Sequence, residues 1–336
     1  MRPRLKALLG AACALPGASC VGWQSTLSPQ GPHAESLLRL IFAFAIVCAL
    51  VWILVVAMLA GALMRRRRIS REPLASRPRE ERRLGMLVGA ATAATVVVIT
   101  GLTVLSFVAT RGLEASHDDA LKLRMRGYQW WWEVTYLDPR PDRIFLTANE
   151  IHVPIGRPVE IELSAADVIH SFWVPSLAGK KDLIPGRDNA ITFTATRPGV
   201  YRGQCAEFCG LQHAHMAFLV IAEPPEAFDG WRRAQLTDAS AQTTSEEERG
   251  RGVFTQKACA ACHTVRGTSA SGSLGPDLTH VASRRYIAAG LLESTRGSFA
   301  AWIADPETLK PGSNMPNVPL TSDDLRDVSA FMASLK

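Results

Sequence analysis

Cys205 to Met216 reads C-A-E-F-C-G-L-Q-H-A-H-M, a loop rich in soft ligands set between two strand-like stretches of the 336-residue sequence. Thiolate, thioether and imidazole together favour copper over hard cations, and one cysteine with two histidines and a weak methionine is the ligand set of a mononuclear blue-copper site. Here a second cysteine is added. Two thiolates can bridge two copper ions, each completed by one histidine, so that a redox charge is shared and little geometry changes on electron transfer. Cys205, Cys209, His213 and Met216 would then need a second histidine from elsewhere. His170, in D-V-I-H-S-F-W-V-P (Asp167 to Pro175), supplies it. A Cys205–Cys209 disulfide or a zinc site of two cysteines and two histidines are the alternatives. Neither accounts for Met216 or for the apolar, aromatic surroundings. His215 alternates with His213 and is expected to point away.

Outward from this loop, Leu121 to Tyr136 begins with alternation and turns aromatic, and Ile144–Val153, Val159–Leu163, Ile191–Thr196 and Ala217–Ala222 are β-branched or alternating. Pro154, Gly156, Pro198 and Gly199 punctuate them. Short strands at this spacing predict a β-sandwich or Greek-key barrel over residues 115–228, and an upstream histidine with a downstream sulfur loop is the cupredoxin layout. A small, polar stretch makes residues 229–244 the expected linker, and Ser245 with Glu248 resembles a capping box opening a new domain over 245–336.

Cys259 to His263, C-A-A-C-H, is a c-type haem attachment motif: two thiols at this spacing can form thioethers to the two vinyl groups, with the adjacent histidine held under the iron. The alternative, a redox-active dithiol, leaves His263 without a role. Helical patterns over Glu246–Lys257 and Ser322–Leu335 predict a mostly helical core around a cofactor. His/Met ligation suits electron transfer, and Met315, in the turn-like N-M-P, is the candidate sixth ligand. Met332 recurs at helical spacing with Leu325 and Val328 and reads as core, and His280 reads as a surface or outer group. These ninety or so residues resemble class I cytochromes c. With ten basic and ten acidic residues from Ser245 to Lys336, charge alone predicts no donor-binding face.

Two runs carry no formal charge, Leu40–Met64 and Gly85–Thr110. As helices each extends about 37 to 39 Å, enough to cross a hydrocarbon core of about 30 Å. They predict a transmembrane helical hairpin over 36–111, with spans at about 38–64 and 85–110, rather than a buried hairpin in a soluble domain. Nine arginines against three acidic residues between Arg65 and Arg83 place that loop in the cytoplasm. The Arg65–Arg68 cluster is better read as a topology determinant and headgroup contact than as a nucleic-acid patch. Much of the net charge of +6 comes from this loop. Both termini then face outward, which agrees with a secretory signal over residues 1–20: Arg2, Arg4 and Lys6, then Ala7–Leu15, then small residues. Gly17, Ala18 and Ser19 ahead of Cys20 fit lipid attachment, although the aliphatic residue expected three positions upstream of the cysteine is missing.

The motifs G-Y-Q-W-W-W (Gly127–Trp132), V-I-H-S-F-W-V-P (Val168–Pro175), K-K-D-L-I-P-G-R (Lys180–Arg187) and the sulfur loop together resemble subunit II of haem-copper cytochrome c oxidases. With the haem domain appended, the chain is similar to the caa3-type variant. The resemblance implies that His170, Cys205, Cys209, His213 and Met216, with the Glu207 carbonyl, bind a dinuclear copper A centre. It implies that the Glu207 carboxylate reaches a magnesium ion shared with subunit I, that electrons enter near Trp130, and that Asp182 and Arg187 lie at the subunit interface. The implied partners are oxidase subunit I and other oxidase subunits, cytochrome c or an equivalent donor, and membrane lipid. Electrons would pass from cytochrome c through haem c and copper A to haem a of subunit I in a bacterial cell membrane, with the copper and haem domains on the outer face. Oxygen reduction to water there would be coupled to proton translocation by the complex.

Two departures stand out. Trp131 replaces a tyrosine common in the family, and Glu80 and Glu81 lack the Trp-containing motif that accompanies a glutamate linked to proton uptake. A stand-alone membrane-anchored copper and haem redox protein is the rival reading. A quinol oxidase subunit would share the fold but lack the copper ligands.

Overall fold

The computed structural model describes residues 22–66, 78–112 and 118–336. The expected signal over residues 1–20, Cys20 and the centre of the arginine-rich loop lie outside the described residues, as does the side chain of Glu80. Residues 35–114 form one compact unit, and the remainder of the chain forms another.

The first unit holds helices α1 (Pro32–Arg66) and α2 (Pro78–Thr110), both long and apolar enough to cross a membrane. Their large side chains stand exposed, Trp52 by 67% and Val97 by 70%. Helices apolar all round call for lipid rather than water. The hydroxyls of Thr95 and Thr103 donate to the carbonyls of Ala91 and Ile99 at 2.9 and 2.8 Å, so neither is left unpaired within an apolar stretch.

The second unit begins with a sandwich. Its larger sheet runs β3 (Phe145–Ala148), β2 (Trp131–Tyr136), β1 (Leu121–Tyr128), β5 (Val159–Ala165) and β8 (Asn189–Phe193). The facing sheet runs β4 (Glu150–Pro154), β10 (Ala217–Glu223) and β9 (Gly199–Gln204), and β6 (His170–Trp173) pairs with β7 (Lys180–Leu183). Strict alternation along β1 buries Leu121, Leu123 and Met125 and leaves Lys122, Arg124 and Arg126 outside. Trp132, Phe172 and Phe218 meet at the centre, with ring centroids 5.3 Å (Trp132–Phe218) and 5.0 Å (Phe172–Phe218) apart. The segment before α1 joins this sandwich through Arg202 N–H to the Trp23 carbonyl (3.0 Å) and Gln30 N–H to the Ser176 carbonyl (2.7 Å).

Part of the expected linker is structured. Helix α3 (Pro225–Gln235) occupies its first half, because Phe228 and Trp231 pack into the sandwich core and hold it there. Trp231 lies flat on the His152 ring, centroids 4.1 Å apart. That ring sits between the carboxylates of Glu150 (3.1 Å) and Glu223 (2.5 Å). Burial lowers the His152 pKa, but the two carboxylates more than offset this and hold it above its ordinary value. The cluster's contribution should therefore be full below about pH 6.5, the unfolded value, and be lost as pH rises through the higher folded one. Denaturant titrations across that range should show the loss in the intact protein and not in His152→Gln. An equal pH slope in both would contradict it.

The last ninety residues form a helical layer: α4 (Ser245–Gln256), α5 (Cys259–Cys262), a two-residue hairpin β11 (Tyr286–Ile287) with β12 (Leu292–Glu293), α6 (Arg296–Ala304), α7 (Pro306–Leu309) and α8 (Ser322–Ser334). The capping box opening α4 uses Thr244 and Glu247, one residue earlier than the expected Ser245 and Glu248. Helix α4 crosses α8 at Gly250, where a Cβ would collide with the Asp327 carbonyl. Phe254 and Phe331 pack beside the crossing at 5.7 Å, and Met332, 3% exposed, belongs to this core.

Candidate functional site

The loop from Cys205 to Met216 is closed at its base by Cys205 N–H donating to the Met216 carbonyl (3.0 Å) and is tied to β6 by Ala206 N–H donating to the Ser171 carbonyl (3.0 Å). These two bonds bring β6, and with it His170, to the sulfur cluster. Cys205 Sγ lies 3.8 Å from Cys209 Sγ, 3.9 Å from His170 Nδ1 and 3.2 Å from the Glu207 carbonyl oxygen. Cys209 Sγ lies 3.5 Å from His213 Nδ1 and 3.8 Å from Met216 Sδ. Every donor expected from the sequence is in this cluster. His215 is outside it: its ring bonds the Gln212 side chain at 2.8 Å and stands exposed.

Cys205 and Cys209 are free thiols, and their separation is far beyond the ~2.05 Å of a disulfide. Five side-chain donors and a carbonyl exceed the four of a structural zinc site. The cluster fits two soft cations sharing two sulfurs. Its electrostatics agree: the Cys205 thiol is lowered to about 4, first by the hydrogen bond from Cys209 and then by His170, whereas Cys209 beside that charge is pushed well up. A second thiolate at this distance calls for added positive charge.

Three supporting residues, Asp167, Gly127 and Gln129, carry no role in the sequence reading, and they stand beside Trp130, Glu207 and Asp182, which do. Asp167 Oδ1 accepts from His170 Nε2 at 2.9 Å, which leaves Nδ1 facing the sulfurs. The β1 backbone passes so close to the His170 ring that a Cβ on Gly127 would sit 2.8 Å from Cδ2. Gln129 and Trp130, in the turn between β1 and β2, both donate to the Cys209 carbonyl, at 2.8 and 2.9 Å. Trp130 is thus both buried in the sandwich core and bonded to the ligand loop. The Glu207 carboxylate pairs with Lys180 at 3.1 Å, and Asp182 accepts from Ser171 Oγ at 2.8 Å.

In the helical layer α5 is a single turn that holds Cys259 and Cys262 on one side, and His263 follows with its N–H on the Cys259 carbonyl (3.0 Å). His263 Nδ1 bonds the Pro276 carbonyl at 2.8 Å, so the tautomer is fixed with Nε2 free for a metal. Burial lowers its pKa and keeps the ring neutral. Gly275 lets the chain lie against this ring, since a Cβ there would be 2.5 Å from His263 Cε1. These features fit a haem held by two thioethers and an imidazole. Met315 is half-buried on the loop after α7. His280 is not a surface group: it is 4% exposed, with its ring nitrogens on the Lys336 and Thr237 carbonyls at 3.0 and 3.1 Å.

Residues 140–223 match the family model of the cytochrome c oxidase subunit II periplasmic domain, and residues 247–336 match that of cytochrome c. Cytochrome c oxidase subunit 2 of Alkalihalophilus pseudofirmus is 32% identical over 94% of this chain and 93% of its own length. The chain belongs to the cytochrome c oxidase subunit 2 family. The Bacillus subtilis subunit 2 is 33% identical over 59% of this chain and 57% of its own. The periplasmic domain of subunit II from Bradyrhizobium japonicum is 30% identical, with 36% of this chain and 95% of that one covered and a TM-score of 0.33. In this subunit II the two apolar helices, the cupredoxin-like sandwich and the cytochrome c domain follow one another as the sequence pattern predicts.

Proposed function

We propose that this chain is the electron-transfer subunit of a haem-copper oxidase of the caa3 type, with both redox centres on the chain itself. The observation that carries this reading is the cluster of two thiols, two imidazoles, a thioether and a carbonyl around one sulfur pair, in the same chain as a C-A-A-C-H turn whose histidine has Nδ1 already bonded. His170, Cys205, Glu207 (through its carbonyl), Cys209, His213 and Met216 hold the dinuclear copper, and Cys259, Cys262, His263 and Met315 hold the haem. When bound, these groups carry electrons from cytochrome c or an equivalent donor towards haem a of subunit I, where oxygen is reduced to water with proton translocation by the complex. The protein's part is to fix the ligands, and the thiol pair's shared environment keeps reorganisation small.

The arginine-rich loop is cytoplasmic and touches lipid headgroups by the positive-inside rule, so the sandwich and haem domain face outward. The spans pack against subunit I. A magnesium ion shared with subunit I would have to draw the Glu207 carboxylate away from Lys180, its partner within this chain. Purified complex should show a c-type haem spectrum, dinuclear copper absorption and a larger polytopic subunit together. A stand-alone redox protein would show the two centres without that subunit, and a copper-free complex with Cys205 and Cys209 oxidised to a disulfide would overturn the copper assignment.

A further inference from the structure

Lys310 is 3% exposed, and its Nζ lies 2.8 Å from the Trp130 carbonyl, 2.8 Å from the His215 carbonyl and 3.0 Å from the Ala288 carbonyl. An ammonium has three donors and no acceptor, so this socket satisfies all three. Two of its walls belong to the sandwich, the β1–β2 turn and the end of the sulfur loop. The third belongs to the haem domain. No ion pair to Lys310 is found among the described residues; burial pushes its pKa down to about 7, the nearby Cys209 sulfur partly offsets this, and the three carbonyls are the groups that receive its protonated form.

The surrounding contacts are built to present that socket. Ala288, Ala289 and Gly290 follow one another at φ 53°, 59° and 86°. Alanine is rarely left-handed and stays so only where its surroundings fix it. The Ala288 carbonyl is turned to Lys310, while the Ala289 carbonyl accepts from Ala217 N–H, at the start of β10, at 3.0 Å. Next to Lys310, the Pro311 carbonyl accepts from the Gln212 side chain (2.9 Å), and Gly312 lies on the Trp130 ring, where a Cβ would be 3.2 Å from Cη2.

We infer that Lys310 is a positioning residue that locks the cytochrome c domain onto the copper loop, its ammonium filling a socket of three carbonyls, so that electrons cross between the centres from one fixed docked state. The purpose assigned to the lock rests on the function proposed above; the socket does not. A flexible tether would instead make each transfer wait for a search by the haem domain.

The test uses the assembled oxidase. In the unaltered protein, haem-to-copper transfer after rapid reduction should be independent of solvent viscosity. In Lys310→Met both optical spectra should be unchanged. Backbone hydrogen exchange over residues 286–292 and 310–315 should rise about tenfold or more, as three buried carbonyls lose their donor, and transfer should slow and become viscosity-dependent. Propylamine added to Lys310→Ala should restore the slow exchange. Viscosity-dependent transfer in the unaltered protein, or unchanged exchange in a spectrally intact Lys310→Met, would overturn the lock. Absence of dinuclear copper absorption in the unaltered complex would instead sink the underlying reading.

Discussion

Cys209→Ala is expected to abolish the dinuclear copper absorption while leaving the c-type haem spectrum intact, and to lower oxidase turnover by at least about 100-fold. Loss of an outer partner alone costs about 10–100-fold in metal affinity, and Cys209 is the hub of the cluster. Its sulfur is the one that approaches Cys205, His213 and Met216 together. Its carbonyl anchors both Gln129 and Trp130. Alanine keeps the carbonyl and removes the sulfur, so the turn should stay in place and the defect should be confined to the metal. Asp167→Asn makes the graded comparison: it weakens the grip on His170 Nε2 without touching a donor atom, and about 10–100-fold weaker copper binding is expected. Two copper ions per chain retained in Cys209→Ala, measured by metal analysis, would refute the shared-sulfur arrangement.

The second large effect is expected from removing the haem attachment. Cys259→Ala combined with Cys262→Ala leaves the sandwich untouched and deprives the chain of its covalent haem. The copper pair would then depend on collisions with a soluble donor. A tethered donor has an effective concentration in the mM range. At ~10 µM external cytochrome c the variant should therefore turn over about 100-fold more slowly, and recover as the donor approaches mM levels. Full activity at low donor would mean that electrons normally bypass the haem domain. The docking contacts around Lys310 add to the tether, so the measured loss should be no smaller than this.

Much of the site could be read from the sequence because its ligands are chemically distinctive and sit close together in the chain. Cys205 to Met216 supplies four of the proposed side-chain ligands from one loop, and His170 stands out within an aromatic motif. What escaped was whatever depends on backbone approach. Gly127 is an unremarked glycine until the His170 ring is seen against it, and Lys310 before Pro311 and Gly312 reads as an ordinary turn lysine. Strands β6, β7 and β9 carry polar residues or glycine where alternation would be needed to flag them, since pairing partners rather than side chains define them. The second part of helix α3 falls within the expected linker because the segment is short and mostly polar; the burial of Phe228 and Trp231 on the sandwich gives its apolar face a partner. The capping box moved by one residue because threonine and serine stand side by side before a run of glutamates.

The parallel pairing of β4 with β10, which sets Glu150 opposite Leu219, has a consequence for how the protein matures. All six residues proposed to bind copper lie in the stretch of chain between those two strands. The base of the sulfur loop can form locally, as a continuation of the β9–β10 hairpin, but His170 joins it only when the distant β6 and β4 segments dock on that hairpin, and distant pairings of this kind are slow steps in β-rich folding. Metal capture is thereby placed at the end of the sandwich's folding, and a chain truncated before β10 should hold the right ligands in its sequence yet no site. Occupancy by copper then serves as a report that the domain has finished assembling.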